Sequence, residues 1–262
     1  MKKKRFIDFK RLIGKWSIAF KIIPLLIVVV ILKFLFHRFG LEKMELNALF
    51  TSLVGGTIFL IGFLISGVLS DYKESEKIPN ELAASLRSLS DDAYTIYKVK
   101  NSDTAKEFIQ FQKAFLPSLM DWLNKKERTS LLLKKIFQMN DFFVEFDKEG
   151  VPAAYVLKMK NEQNNLRKLI LRIDTIRDTD FVGSAYAILE AMGFLTVVGL
   201  LIIKIEPFYA SLFLTLLITF LIVYMIQLIK DLDNPFDYKT RGESGTEISL
   251  KPLHDLEREI DN

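Results

Sequence analysis

The chain has 262 residues, half of them hydrophobic, with 36 Lys and Arg against 32 Asp and Glu, two His and no Cys. Absence of cysteine excludes disulfides, thiol nucleophiles and cysteine metal sites, and His37 and His254 alone leave little room for histidine-based chemistry. No glycine-rich phosphate loop, nucleophile elbow or metalloprotease motif occurs, which argues against an enzyme, and the net charge of +4 comes with no nucleic-acid motif.

Residues 1–17 carry Lys2, Lys3, Lys4, Arg5, Lys10, Arg11 and Lys15 against the single acid Asp8. An apolar stretch follows, Ile18–Phe36, broken only by Lys21 and Lys33. Long lysine stems can carry their ammonium groups to the membrane interfaces, so both are expected to snorkel from near the helix ends. The next stretch, Ala48–Ser70, has 23 residues and no charge. A helix needs about 20 apolar residues to cross the hydrocarbon core. In lipid every backbone amide must be bonded within its own segment, so such a stretch is a spanning helix. Two more come late in the chain: Gly183–Ile203, with Glu190 near its start, and the uncharged Pro207–Ile229. The Lys204-Ile205-Glu206 link between them predicts a tight antiparallel hairpin.

Between the first two spans lie only Arg38 and Lys43 as basic residues, offset by Glu42 and Glu45. The Lys/Arg excess marks the cytoplasmic side, so the amino terminus is expected inside, together with residues 71–182 and the tail 231–262. The basic start resembles a signal-peptide n-region, but the long apolar run without a small-residue cleavage site reads as a retained anchor. The same charges can meet anionic inner-leaflet lipids.

The polar middle reads as four amphipathic helices. Pro79 suits the first turn of a helix over Asn80–Lys98, with Leu82, Leu86, Leu89 and Ala93 at spacings of three and four. Asn101-Ser102-Asp103 breaks it and caps Thr104–Lys126, whose stripe is Phe108, Phe111, Phe115, Leu119 and Trp122, with a possible kink at Pro117. Leu131–Phe146 follows, ended by Lys148-Glu149-Gly150, and the last runs from Pro152 to Ile176. No alternating strand pattern or repeat occurs. So aromatic-rich a block is expected to pack on itself or on neighbouring subunits.

Three features bear on function. On the second span Ser52, Gly56, Phe59, Phe63, Ser66 and Ser70 recur at spacings of three and four and share one face. That face can be a pore wall with a phenylalanine constriction. It can also be a packing face, since Gly55, Gly56, Gly62 and Ser66 let another helix approach. The opposite face, Ile58, Leu60, Ile61, Leu64, Ile65, Val68 and Leu69, suits lipid. Glu190 is the one acid set within a span, and marks an ion path or an ion pair, or snorkels to the interface. Beyond the last span, Asp231, Asp233 and Asp237 can offer oxygen ligands to a hard cation or form a solvated acidic turn.

The helix ending in Asn234-Pro235-Phe236, the polar turn and Leu250-Lys251-Pro252-Leu253 resemble the end of the bestrophin membrane domain. Phe59-Leu60-Ile61-Gly62-Phe63 resembles the stretch whose phenylalanines line the bestrophin pore neck. The order of two spans, a helical block, two spans and a tail is also bestrophin-like, and the best likeness is to distant bacterial members. The resemblance implies an all-α, four-span homo-oligomer, pentameric in bestrophins, around an axial pore lined by the second span. It implies a passive channel for small inorganic ions in a bacterial inner membrane. Phenylalanine ring edges and helix amino termini favour anions such as chloride over cations. Gly55 or Gly56 stands where bestrophins place a bulkier neck residue. Animal members hold calcium in acids after Asn-Pro-Phe, whereas this chain has Asp237-Tyr238-Lys239-Thr240-Arg241-Gly242-Glu243 there, so no cofactor is assigned. The alternative function is a non-conducting membrane scaffold whose helical block binds a partner.

Overall fold

The computed structural model describes residues 2–178, 183–238 and 247–261, with side-chain surroundings for 16–178, 183–238 and 247–259. In chain order the elements are α1 (Lys2–Arg38), β1 (Met44–Glu45), α2 (Ala48–Ser75), α3 (Ile78–Lys100), α4 (Asp103–Leu123), α5 (Thr129–Lys148), α6 (Ala153–Asp178), α7 (Gly183–Ile202), β2 (Ile203–Lys204), α8 (Phe208–Asp233) and α9 (Lys251–Asp261). Four helical segments among the described residues are long and apolar enough to cross a membrane, and they fall in α1, α2, α7 and α8. The chain is a multi-pass membrane protein. It divides into two compact units, the first holding α1, most of α2, α7 and α8, the second α3 to α6, the Phe236–Tyr238 segment and α9.

In the first unit α8 packs against α1 and α7. Ile61, Leu64 and Val68 of α2 join Leu189 of α7 and Ile222, Ile229 and Leu232 of α8 in one buried cluster. Lipid tails are as apolar as leucine, so helices in a bilayer associate through close contact and hydrogen bonds. Both devices are present. Gly193 brings α7 against Ile222 and Ile226 of α8, and a Cβ on Gly199 would overlap the Phe50 ring. The buried hydroxyls of Thr57 on α2 and Thr196 on α7 hydrogen-bond at 3.0 Å.

A second device lies at the far end of α1. The expectation that Lys33 snorkels is corrected: its side chain is fully buried. The ammonium donates to the carbonyls of Leu200 at 3.1 Å, Leu201 at 3.4 Å and Ile203 at 2.8 Å, and ion-pairs with Glu42 at 2.7 Å. The end of α7 has carbonyls with no helical partner, and a cation belongs there. Glu42 also meets His37 Nδ1 at 2.7 Å, and the His37 ring stacks on Phe208 at 4.1 Å between centroids. Beside this knot the all-helical expectation meets an exception. Met44 and Glu45 pair in parallel with Ile203 and Lys204, a two-residue ladder too short to announce itself in the sequence. Asn47 Oδ1 then accepts from the amide of Phe50 at 2.9 Å, capping the first turn of α2.

The second unit is a bundle of amphipathic helices around an apolar core. Leu82, Leu89, Phe108, Leu119, Trp122, Ile136, Phe146 and Leu166 are among its buried side chains. Pro79 lies in the first turn of α3, and Ser102 Oγ accepts from Ala105 N at 3.0 Å at the start of α4, as the sequence leads one to expect. Pro117 sits inside α4, which runs unbroken to Leu123. Arg177 of α6 donates to the carbonyls of Trp122 at 3.2 Å, Leu123 at 2.6 Å and Phe236 at 3.3 Å, and lies over the Trp122 ring. It thereby satisfies the end of α4 and holds the fully buried Phe236. The C-terminal helix α9 was not expected from the sequence. Its Leu253 and Leu256 are buried, and it packs on α3 and α4.

Two consequences can be measured. Lys33→Met strands a buried carboxylate, and removing one partner of a buried pair costs about 3–5 kcal/mol; thermal melting in detergent should fall sharply, and Lys33→Met/Glu42→Leu should recover only the part due to the stranded carboxylate, because the carbonyls of Leu200, Leu201 and Ile203 still lack their donor. Burial works to raise the Glu42 carboxyl, but the hydrogen bonds and charges of Lys33 and His37 outweigh it and hold it below its ordinary value of 4.5. A lowered folded-state value stabilises above the unfolded value and is lost as pH falls through the folded one. Wild type should therefore lose melting temperature below about pH 4.5 through this group, and Glu42→Gln should flatten that part of the profile.

Candidate functional site

Helix α2 has 28 residues and two unlike faces. Ile61, Leu64 and Val68 point into the core, at 2 %, 5 % and 1 % exposure, with Leu60 and Ile65 packed beside them. This corrects the expectation that these residues face lipid. Apolar periodicity does not distinguish lipid from the interior of a membrane protein, because both solvents are hydrocarbon-like. Ile58 and Leu69 of that expected face do remain exposed.

The other face carries the stripe singled out in the sequence. Ser52, Gly56, Phe59, Phe63, Ser66 and Ser70 are all exposed, Phe59 at 75 % and Phe63 at 68 %. Gly55 and Gly62 have open space around them, and Gly56 meets only the tip of Met192 at 3.8 Å. Within this one chain, then, the glycines do not serve as a seat for a neighbouring helix. Ser52 turns its hydroxyl back to the Ala48 carbonyl at 2.8 Å. The stripe is a row of rings and hydroxyls with no charge on it, at intervals of one helical turn.

Glu190 is exposed on α7 and ion-pairs with Lys230 of α8. The two helices therefore share one compensated pair at this level, and the Glu190 carboxylate is neither buried nor unpaired. Sequence spacing does not bring the two residues together, since they are forty positions apart and meet only because α7 and α8 pack on each other. Asp231 lies beside Gln227, whose amide donates to it at 3.4 Å. Asp237 is paired with Lys125 at 3.1 Å. No group of three or more His, Cys, Asp or Glu able to hold a metal ion is found among the described residues. Glu243, with Lys239 and Arg241, lies outside the described residues.

Sequence reasoning missed Lys33 and Glu42 as a pair. The signal was present: a lysine one turn before His37 in a retained span, followed nine residues later by the first acid of the loop. What it lacked was the end of α7, which supplies the three carbonyls.

No family model and no curated protein matches the sequence. Solved structures do. Two crystal structures of a bacterial bestrophin homolog from Klebsiella pneumoniae, each with a point substitution, superpose with TM-scores of 0.76 and 0.77 at 17% identity. They cover 92% and 93% of this chain and 97% of their own. A structure described only as a membrane protein matches equally, with a TM-score of 0.77, 17% identity and the same coverage of 92% and 97%.

The two faces of α2 predict different costs. Ile61→Ala should destabilise by about 2–5 kcal/mol, as buried aliphatic truncations do, whereas Phe63→Ala should change the melting temperature of the detergent-solubilised chain little. Over nearly its whole length, the chain has the fold of bacterial bestrophin homologues.

Proposed function

We propose that this chain is the subunit of a passive ion channel, a homo-oligomer around an axial conduit lined by Ser52, Gly56, Phe59, Phe63, Ser66 and Ser70 of α2. The observation that carries the reading is that all six side-chain positions lie uncovered on one face while the opposite face is buried on α7 and α8. The bestrophin fold supports the same reading. Four spans are too few to enclose water within one chain, so the reading requires a ring of copies, five by analogy with bestrophins. The channel sits in a bacterial inner membrane with both termini and the second unit on the cytoplasmic side, in keeping with the basic amino terminus.

Conduction past Phe59 and Phe63 is a dewetting problem. Rings of phenylalanine at one level exclude a continuous water column and set a barrier that a hydrated ion crosses only when the constriction widens. The ring edges carry partial positive charge, which favours anions, chloride among them, over cations. The hydroxyls of Ser66 and Ser70 replace part of the hydration shell, while that of Ser52 is turned back to the Ala48 carbonyl. No calcium dependence is built into this reading.

Purified wild type and Phe59→Ala/Phe63→Ala, each reconstituted in a planar bilayer under a salt gradient, provide the test. The double variant should carry several-fold more current than wild type, and its reversal potential should lie on the anion side. Silence from both, with the oligomer shown intact, would leave the membrane scaffold as the function. A reversal potential on the cation side would keep the channel and remove the anion preference.

A further inference from the structure

Helix α1 has 37 residues and so runs about 55 Å, well beyond a hydrocarbon thickness of about 30 Å. Its apolar, membrane-crossing stretch begins at Trp16, which leaves the turns from Lys2 to Lys15 outside the hydrocarbon core. Within the span the helix has two distinct faces. Ile18, Ile22, Val29 and Lys33 form a buried row in the first unit. Trp16, Phe20, Ile27, Ile31 and Phe34 form the opposite row, and each is more than half exposed.

At spacings of three and four, both rows can be followed from the span back into the first turns. The exposed row continues through Ile13, Phe9 and Phe6, with Leu12 beside it, and stays apolar. The buried row continues through Lys15, Arg11, Ile7 and Lys4, and turns basic. Lys3, Asp8 and Lys10 flank this second row, and Lys2 and Arg5 stand at the tip. A row that went on packing against an apolar core would keep its apolar residues, because an unpaired charge buried there is costly. The change to lysine and arginine therefore marks where α1 parts from the core of its own unit. The opposite row still calls for an apolar environment, and the bilayer lies on that side.

We infer that the Lys2–Lys15 part of α1 is a docking surface for anionic phospholipid, seated in the interface of the leaflet from which the helix emerges. A helix that leans toward its own lipid-exposed side on leaving the hydrocarbon keeps the row of Phe6, Phe9 and Ile13 among the acyl chains. The same lean sets the row of Lys4, Arg11 and Lys15 at the level of the phosphates and water. A straight course into water would instead leave that apolar row uncovered. Charge selects the lipid, since seven basic residues stand against the single acid Asp8. A basic amphipathic helix with Phe, Leu and Trp on its apolar side binds membrane surfaces in this way. A basic cluster next to a span is drawn to a negative leaflet, and salt screens the attraction. The inference requires that α1 spans the membrane, and it does not depend on conduction.

The chain has no cysteine, so one introduced thiol is a unique labelling site. Full-length Phe9→Cys and Arg11→Cys, each carrying a fluorophore, are reconstituted in phosphatidylcholine vesicles with or without phosphatidylglycerol. Quenching by lipids brominated in the acyl chain reads the depth of each probe. With phosphatidylglycerol the Phe9 probe should be quenched several-fold more than the Arg11 probe, and high salt should shrink that difference. Adding Lys4→Gln/Lys10→Gln/Lys15→Gln to the Phe9→Cys chain should remove most of the dependence on phosphatidylglycerol. Equal quenching of the two probes would overturn the two-row seat, and no quenching of either would overturn the interfacial placement. Quenching of the Phe9 probe that is the same with and without phosphatidylglycerol would overturn the recognition of anionic lipid. Both leaflets carry the anionic lipid, so no outcome depends on which side the amino terminus takes, and the current measured in planar bilayers tests the channel reading separately.

Discussion

A helix end leaves carbonyl groups that its own backbone does not satisfy, and in hydrocarbon or near it no water is at hand to do so. In the first unit the end of α7 meets this requirement through one side chain, Lys33, which is drawn wholly out of solvent to reach Leu200, Leu201 and Ile203. A buried ammonium then needs a counter-charge, and Glu42 from the α1–α2 loop supplies it. The loop is thereby pulled against the α7–α8 turn, close enough for Met44 and Glu45 to pair with Ile203 and Lys204. Three separate pieces of chain become one end-plate because of one set of unsatisfied carbonyls.

That end-plate determines how α2 begins, and the packing of α2 determines the rest of the proposed conduit. Ile61, Leu64 and Val68 turn inward because α7 and α8 offer a close-packed surface with a matching hydroxyl at Thr196. With one face taken, the face bearing Phe59 and Phe63 is left outward. The helix is rotated by contacts on its back, and the candidate wall is what those contacts leave over.

The second unit obeys different physics. Its helices are amphipathic and its core is aromatic, with Phe108 central to a cluster of rings that includes Phe111, Phe142, Phe143 and Phe146. Arg177 does there what Lys33 does in the first unit: it closes a helix end, that of α4, and at the same time fastens Phe236 of the Asn-Pro-Phe turn. Phe236 is part of a motif legible in the sequence, but its anchor is an arginine fifty-nine positions away.

Local physics explains what could be read directly from the residues. The four spans follow from uncharged length, because lipid forbids open backbone. Helices α3 to α6 follow from period and caps, since Pro79, Ser102 and Gly150 act within a turn or two of their own positions. The stripe on α2 follows from spacing alone. Tertiary structure decided the remainder, because each case depends on distant partners. Ile61 and Phe63 are both apolar, and only the arrival of α7 and α8 makes one interior and the other exposed. Glu190 is read as an isolated acid until α8 brings Lys230 to it. Lys33 looks like a snorkelling residue until the carbonyls at the end of α7 come within reach. Sequence determines which segments must be helices because that balance is settled backbone group by backbone group; which face of each helix is inside is settled only by what the rest of the chain places against it.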